Sequence, residues 1–243
     1  MRGLIWLGAV VSLLSLAAVP LTAAPAAGAT GPSVSSNALV DVDHGLAFPQ
    51  DKQNEPSITR DPVTGVLVAG ANDEISQPAC PGTSTPLASP CPFKPGAPTS
   101  AYYYSTDNGN TWTGGYLPGF GTLSPPRTSG GDPSLSYGPR RCADGAFRFS
   151  CGVVIYYGSL ADPVNEFAGE QVTVSRSYTD GRTWANPVYA TNTDNKSNFD
   201  DHDWVAVDTS RAKPLFRPGL CVLGGVLQRL LRQRQRQVVF GAF

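Results

Sequence analysis

The chain has 243 residues, 41% of them apolar, with 26 Gly, 22 Pro and a single Met. Such Gly and Pro content, with aromatic and β-branched residues in short runs, excludes a mainly helical protein and suits an all-β sandwich, barrel or propeller. The net charge of −1 hides a break, because residues 30–210 carry 19 acidic against 10 basic side chains and residues 211–243 carry 7 basic and none acidic.

Residues 1–29 read as a signal peptide. Arg2 supplies a positive start, Leu4–Val19 is almost wholly apolar, and Ala27-Gly28-Ala29 fits a signal-peptidase site. A spanning helix would need a basic stop flank, which is absent, so no membrane insertion is expected after cleavage. Residues 30–50 read as a linker.

Two series of repeats then organise the chain. Glu55-Pro56-Ser57-Ile58 returns as Asp132-Pro133-Ser134-Leu135 and again as Asp203-Trp204-Val205-Ala206. Ser105-Thr106-Asp107-Asn108-Gly109-Asn110-Thr111-Trp112 returns as Ser177-Tyr178-Thr179-Asp180-Gly181-Arg182-Thr183-Trp184. The steps of 77 and 71 residues in the first series, and 72 in the second, keep one register. Each repeat reads as four strands. Residues 51–125 give Pro56–Thr59, Val66–Ala71, Ala101–Ser105 and Trp112–Leu117. Residues 126–199 give Pro133–Tyr137, Gly152–Tyr157, Gln171–Ser175 and Trp184–Ala190. Four-stranded units repeated about an axis are propeller blades. Residues 200–216 open a third.

Four cysteines allow three pairings. The reading adopted is local, Cys80 with Cys91 and Cys142 with Cys151. A zinc site is the alternative, which neither spacing nor a nearby His favours.

The second repeat series has a physical logic. Asp107 can accept N–H groups of its own turn, Gly109 supplies a positive φ, and Trp112 opens the next strand with a large apolar surface. The expected elements of the two turns are Ser105, Asp107, Gly109, Thr111 and Trp112, then Ser177, Asp180, Gly181, Thr183 and Trp184. Thr179 stands where the first copy has Asp107, so Asp180 is expected to take over from one place further on. Both tryptophans are expected to be largely buried, in equivalent places.

Residues 105–112 match the Asp-box of sialidases at every defining position, and residues 50–210 resemble a sialidase-type (bacterial neuraminidase repeat) β-propeller. The resemblance implies a six-bladed ring, a glycan partner and, in an intact gene product, glycoside hydrolysis by a Tyr nucleophile, an Asp acid/base and an arginine cluster. The Tyr and two arginines belong to later blades, so the chain as written is expected to be inactive. The Arg-Ile-Pro sequence of a first blade is also missing, and Arg60 is the nearest catalytic candidate. A non-catalytic binding or cell-surface scaffold is the alternative, and a non-functional product is another.

Glu55, Asp132 and Asp203 precede the entering strands and are the binding candidates. No cofactor is expected. Calcium needs about 6–8 oxygen ligands, of which the Asp200, Asp201, His202 and Asp203 cluster could supply only part. Two histidines, His44 and His202, offer no nucleophile set.

Residues 217–243 break the pattern. Leu220-Cys221-Val222-Leu223-Gly224-Gly225 and an Arg/Gln run replace the second strand of the third blade. Codons for Leu220–Gln235 read one base later can encode Tyr-Val-Ser-Trp-Ala and then a polar turn. The expectation is therefore a frame shift between Lys213 and Leu220, with a tail that packs poorly from Arg217 onward. A nucleic-acid role would need base-reading partners, and the tail has only Phe240 and Phe243 as aromatics.

Overall fold

The computed structural model describes residues 38–41, 45–80, 93–165, 169–191, 200–209, 220–225 and 237–241. All belong to one unit, Asn37–Phe243. The expected signal segment lies outside the described residues, among which no helix is long and apolar enough to cross a membrane.

The protein is all-β. Strands β1 (Gln53–Arg60), β2 (Leu67–Asp73), β3 (Ser100–Ser105) and β4 (Thr113–Tyr116) form a four-stranded sheet in chain order. Strands β5 (Arg127–Arg141), β6 (Phe147–Pro163), β7 (Gln171–Ser177) and β8 (Val188–Tyr189) form a second. Every neighbouring pair is antiparallel, which is the up-and-down meander of a propeller blade. A third sheet joins β9 (Asp201–Val207) to β10 (Leu220–Gly225) and β11 (Gln237–Gly241), in the order β11-β10-β9.

The sequence of β6 shows why the sheets stack. Val153, Ile155 and Tyr157 enter one core with Val66, Val68 and Trp184, while Val154, Tyr156 and Leu160 enter another with Val172, Val174 and Val205. Alternate residues point to opposite faces, so a strand buried on both faces must be apolar throughout. Serine hydroxyls join the entering strands. Leu135 donates its N–H to Ser57 Oγ at 3.0 Å, and Val205 donates to Ser134 Oγ at 2.8 Å. Gly70 allows the first two sheets to approach, since a Cβ there would lie 2.6 Å from the Tyr157 ring.

The ladder corrects the third repeat by one residue. β1 bulges between Asn54 and Ser57, and β5 between Gly131 and Ser134. The matching bulge in the third sheet lies between Asp201 and Trp204, opposite Leu223 and Gly225. His202 therefore holds the register position of Asp132, Asp203 that of Pro133, and Val205 that of Leu135. Burial agrees: Leu135 and Val205 each pack on a core facing the preceding sheet, and their counterpart Ile58 is 61% exposed.

In the tail, Leu220–Gly225 pairs with β9 and Gln237–Gly241 pairs with β10 as backbone strands. One further expectation changes, because the two tryptophans are not equivalent. Trp184 is buried between the sheets, its ring 5.7 Å from Tyr102 and 5.6 Å from Tyr157. Trp112 is half-buried against Ala69, Ala71, Ala101 and Tyr103 with Val40 beside it, because that face meets a short segment rather than a sheet.

Cys142 and Cys151 are bonded across the β5–β6 turn, with a Cα–Cα distance of 5.6 Å. Cys80 is disulfide-bonded, while Cys91 lies outside the described residues.

Candidate functional site

The entering strands bring the three binding candidates together. Glu55, Pro56, Asp132, Pro133, Asp203 and Trp204 line one cavity of about 210 Å³. The bulges cause this convergence. They turn the chain at the same end of each entering strand, and Glu55 and Asp132 accept the left-handed conformation there, with φ of 53° and 51°. A non-glycine residue in that region costs roughly 1–3 kcal/mol, so neighbouring interactions must hold it.

Asn72 holds both. Its Nδ2 donates to Glu55 Oε2 at 3.1 Å, and its Oδ1 accepts the Asp132 N–H at 2.7 Å. Beneath lies a buried serine layer. Gly131 donates its N–H to Ser100 Oγ at 3.0 Å, and Ser159 Oγ donates to Gly131 O at 3.2 Å. The mouth thus stands on a fixed floor.

Asp203 is the outlier. It is 5% exposed, packs over Gly158, and neither carboxylate oxygen has a hydrogen-bond partner. Burial, with the carboxylates of Asp132 and Asp200 nearby, pushes its carboxyl well above the usual range. Next to it, Trp204 is 65% exposed.

A second acidic group adjoins the first and was not singled out from the sequence. Burial raises Asp162 to about 7, with Asp132 adding to the rise and Arg127 opposing it. Burial also raises Glu170 to about 8, helped by Asp162, Asp132, Asp201 and Asp200. Arg127 is buried and donates from Nη1 to Gly169 O at 3.0 Å. The available signal was position, since Arg127, Asp162 and Glu170 all sit at or beside strand ends that flank the Asp132 bulge.

Arg60 is elsewhere. It ends β1, about five residues or roughly 16 Å beyond Glu55 at strand spacing, and its Nε donates to Gly65 O at 3.2 Å in the following turn. Among the described residues, no group of three His, Cys, Asp or Glu is arranged to hold a metal ion.

The two turn motifs differ in chemistry. Asp107 accepts the Thr111 N–H at 2.9 Å, the Thr111 hydroxyl at 2.7 Å and the Ser105 hydroxyl at 2.8 Å. In the second copy Thr179 itself, not Asp180, accepts the Thr183 N–H at 2.9 Å. Asp180 instead takes the left-handed position of Asn108, with φ of 56° against 58°, and pairs with Arg182 at 3.1 Å. These turns lie at the far ends of β3 and β7 and contribute nothing to the cavity.

No family model and no curated protein matches the chain. Among solved structures it is similar to a Hadza microbial sialidase, at 16% identity and a TM-score of 0.40, over 72% of this chain and 33% of that one. It is also similar to a mutant of Trypanosoma rangeli sialidase displaying trans-sialidase activity, at 16% identity and a TM-score of 0.31, over 71% of this chain and 26% of that one. The chain thus spans about a third and a quarter of their lengths. The class defined by its own sheets and cavity is a β-protein of propeller-blade type with an acidic mouth at the entering strands.

Proposed function

We propose that this chain is the recognition part of a secreted glycan-binding propeller, and that the mouth lined by Glu55, Asp132, Asp203 and Trp204 receives the sugar. The shared cavity carries the reading. Carboxylate oxygens are acceptors for sugar hydroxyls, and an exposed indole face suits the apolar C–H face of a pyranose ring. The cavity is set on rigid strands, as a pre-formed binding site requires. The disulfide between Cys142 and Cys151 agrees with passage through an oxidising compartment. Hydrolysis would belong to a longer protein carrying further blades.

The test is titration of the full chain, disulfides intact, with a panel of neutral, amino and acidic oligosaccharides. Binding to at least one sugar class is expected, weakened several-fold to about tenfold by Trp204→Ala, in line with the ~0.5–1.5 kcal/mol of an aromatic face contact. Binding that is indifferent to Trp204→Ala would move the site elsewhere, and no binding to any sugar would reject the reading.

A further inference from the structure

We propose that the mouth selects a cationic ligand, so that the glycan it takes is an amino sugar bearing a protonated amine rather than an acidic one. This rests on the glycan reading above and adds the charge class of the ligand.

Charge is the first ground. Three carboxyl groups, one from each of three consecutive entering strands, share one cavity of about 210 Å³, and among the described residues its other lining members, Pro56, Pro133 and Trp204, carry no charge. A ligand carboxylate in this mouth would face like charges at close range, and like-charge contact is disfavoured. A cation gains from Glu55 and Asp132, and from Asp203 as its approach favours the ionised carboxylate.

Asp203 is the second and independent ground. A carboxylate that is 5% exposed with both oxygens unpartnered is costly to keep ionised unless paired. Burial by itself holds it neutral, and a cation entering the cavity it lines would favour the ionised form. An ammonium group supplies both the charge and three N–H donors. A metal ion is a poorer match, because no three ligating side chains among the described residues are arranged around one. Trp204, beside Asp203 and 65% exposed, offers a face to the sugar ring and, through its π cloud, to the cation. The proline rings of Pro56 and Pro133 complete an apolar rim. That combination of flat apolar rim and acidic floor suits a ring bearing an amine better than a bare lysine side chain.

The deciding experiment compares a glucosamine tetramer with its fully N-acetylated counterpart by calorimetric titration of the full chain at about pH 6, where a primary amine is protonated. The two sugars differ in charge and not in length. The expected result is at least about tenfold tighter binding of the glucosamine tetramer, with the preference shrinking as salt rises. Asp203→Asn should weaken the glucosamine tetramer by a larger factor than the N-acetylated tetramer, so that the preference shrinks. Glu55→Gln, at an exposed position, should do the same and serves if Asp203→Asn fails to fold. Equal affinity for the two tetramers, or tighter binding of a sialylated trisaccharide, would overturn the charge selectivity while leaving the glycan reading intact. Binding of no sugar would overturn both, as would capture of a tetralysine peptide in place of any sugar.

Discussion

Asp107 and Thr179 occupy the same place in two turns and hold them with different oxygens. The carboxylate of Asp107 accepts three hydrogen bonds, which hold it down at about 2. Thr179 takes the Thr183 N–H with a hydroxyl, and a neutral acceptor makes the weaker bond. Thr179→Asp should therefore strengthen the second turn and raise Tm by a few degrees in a thermal melt. The pH dependence follows from the sign of the shift. A carboxyl held below its unfolded value adds stability above about pH 4, and that stability is lost as pH falls through about 2. The gain from Thr179→Asp should thus be present at pH 7 and absent near pH 2. A gain that persists in acid would mean the carboxylate is not the cause. The turn itself was legible because its residues stand in order along the chain. The acceptor in the second copy was not, because a threonine hydroxyl can do the work of a carboxylate and composition does not reveal which oxygen is aimed inward.

At the scale of elements, the close approach of the first two sheets turns on Gly70 of β2. Its missing Cβ leaves room for the ring of Tyr157 on β6, whose hydroxyl donates to Ala101 O at 2.7 Å. The ring is buried and anchored, so it cannot swing aside. Gly70→Ala should cost about 1–3 kcal/mol through overpacking, read as a lower denaturant midpoint with an unchanged slope. Adding Tyr157→Val should recover part of that loss, and purely additive effects of the two changes would argue against the contact. The strands were legible where period and burial agree. β3 and β7 fall within two residues of the spans read from sequence. β8 is only Val188–Tyr189, since Pro187 has no N–H for the ladder and Trp184 turns inward to Tyr102 and Tyr157. The bulges were illegible. A bulge adds one residue without changing the local pattern, so the third repeat aligned by its acid, Asp203, when the ladder aligns it by His202. The convergence of Glu55, Asp132 and Asp203 survived that slip because all three lie in or beside a bulge at one end of the entering strands.

At the scale of the whole molecule, the acids around Asp132 tie folding to pH in the direction opposite to Asp107. Burial, aided by neighbouring carboxylates, raises Asp162 to about 7 and Glu170 to about 8, whereas an unfolded chain releases these protons at about 4. Between those limits the folded state binds more protons than the unfolded one, so stability falls as pH rises. The contribution is complete below about pH 4 and is lost as pH passes through 7 to 8. Arg127, buried in the group, opposes the rise of Asp162 but does not cancel it. These residues were not legible in the sequence as a group, since Asp162 and Glu170 are separated by a connection and meet Asp200 and Asp201 only through the stacking of the second and third sheets. Tm should therefore decline from about pH 5 to about pH 8. Glu170→Gln tests the cause directly. At pH 5 the wild-type carboxyl is already neutral, so the amide should change Tm little. At pH 8 the wild type has begun to ionise a buried group among other carboxylates and the amide has not, so the variant should melt higher. Curves that run parallel across this range would show that Glu170 does not carry the dependence, and a wild-type Tm that rises toward pH 8 would show that the acidic group is paired rather than held neutral.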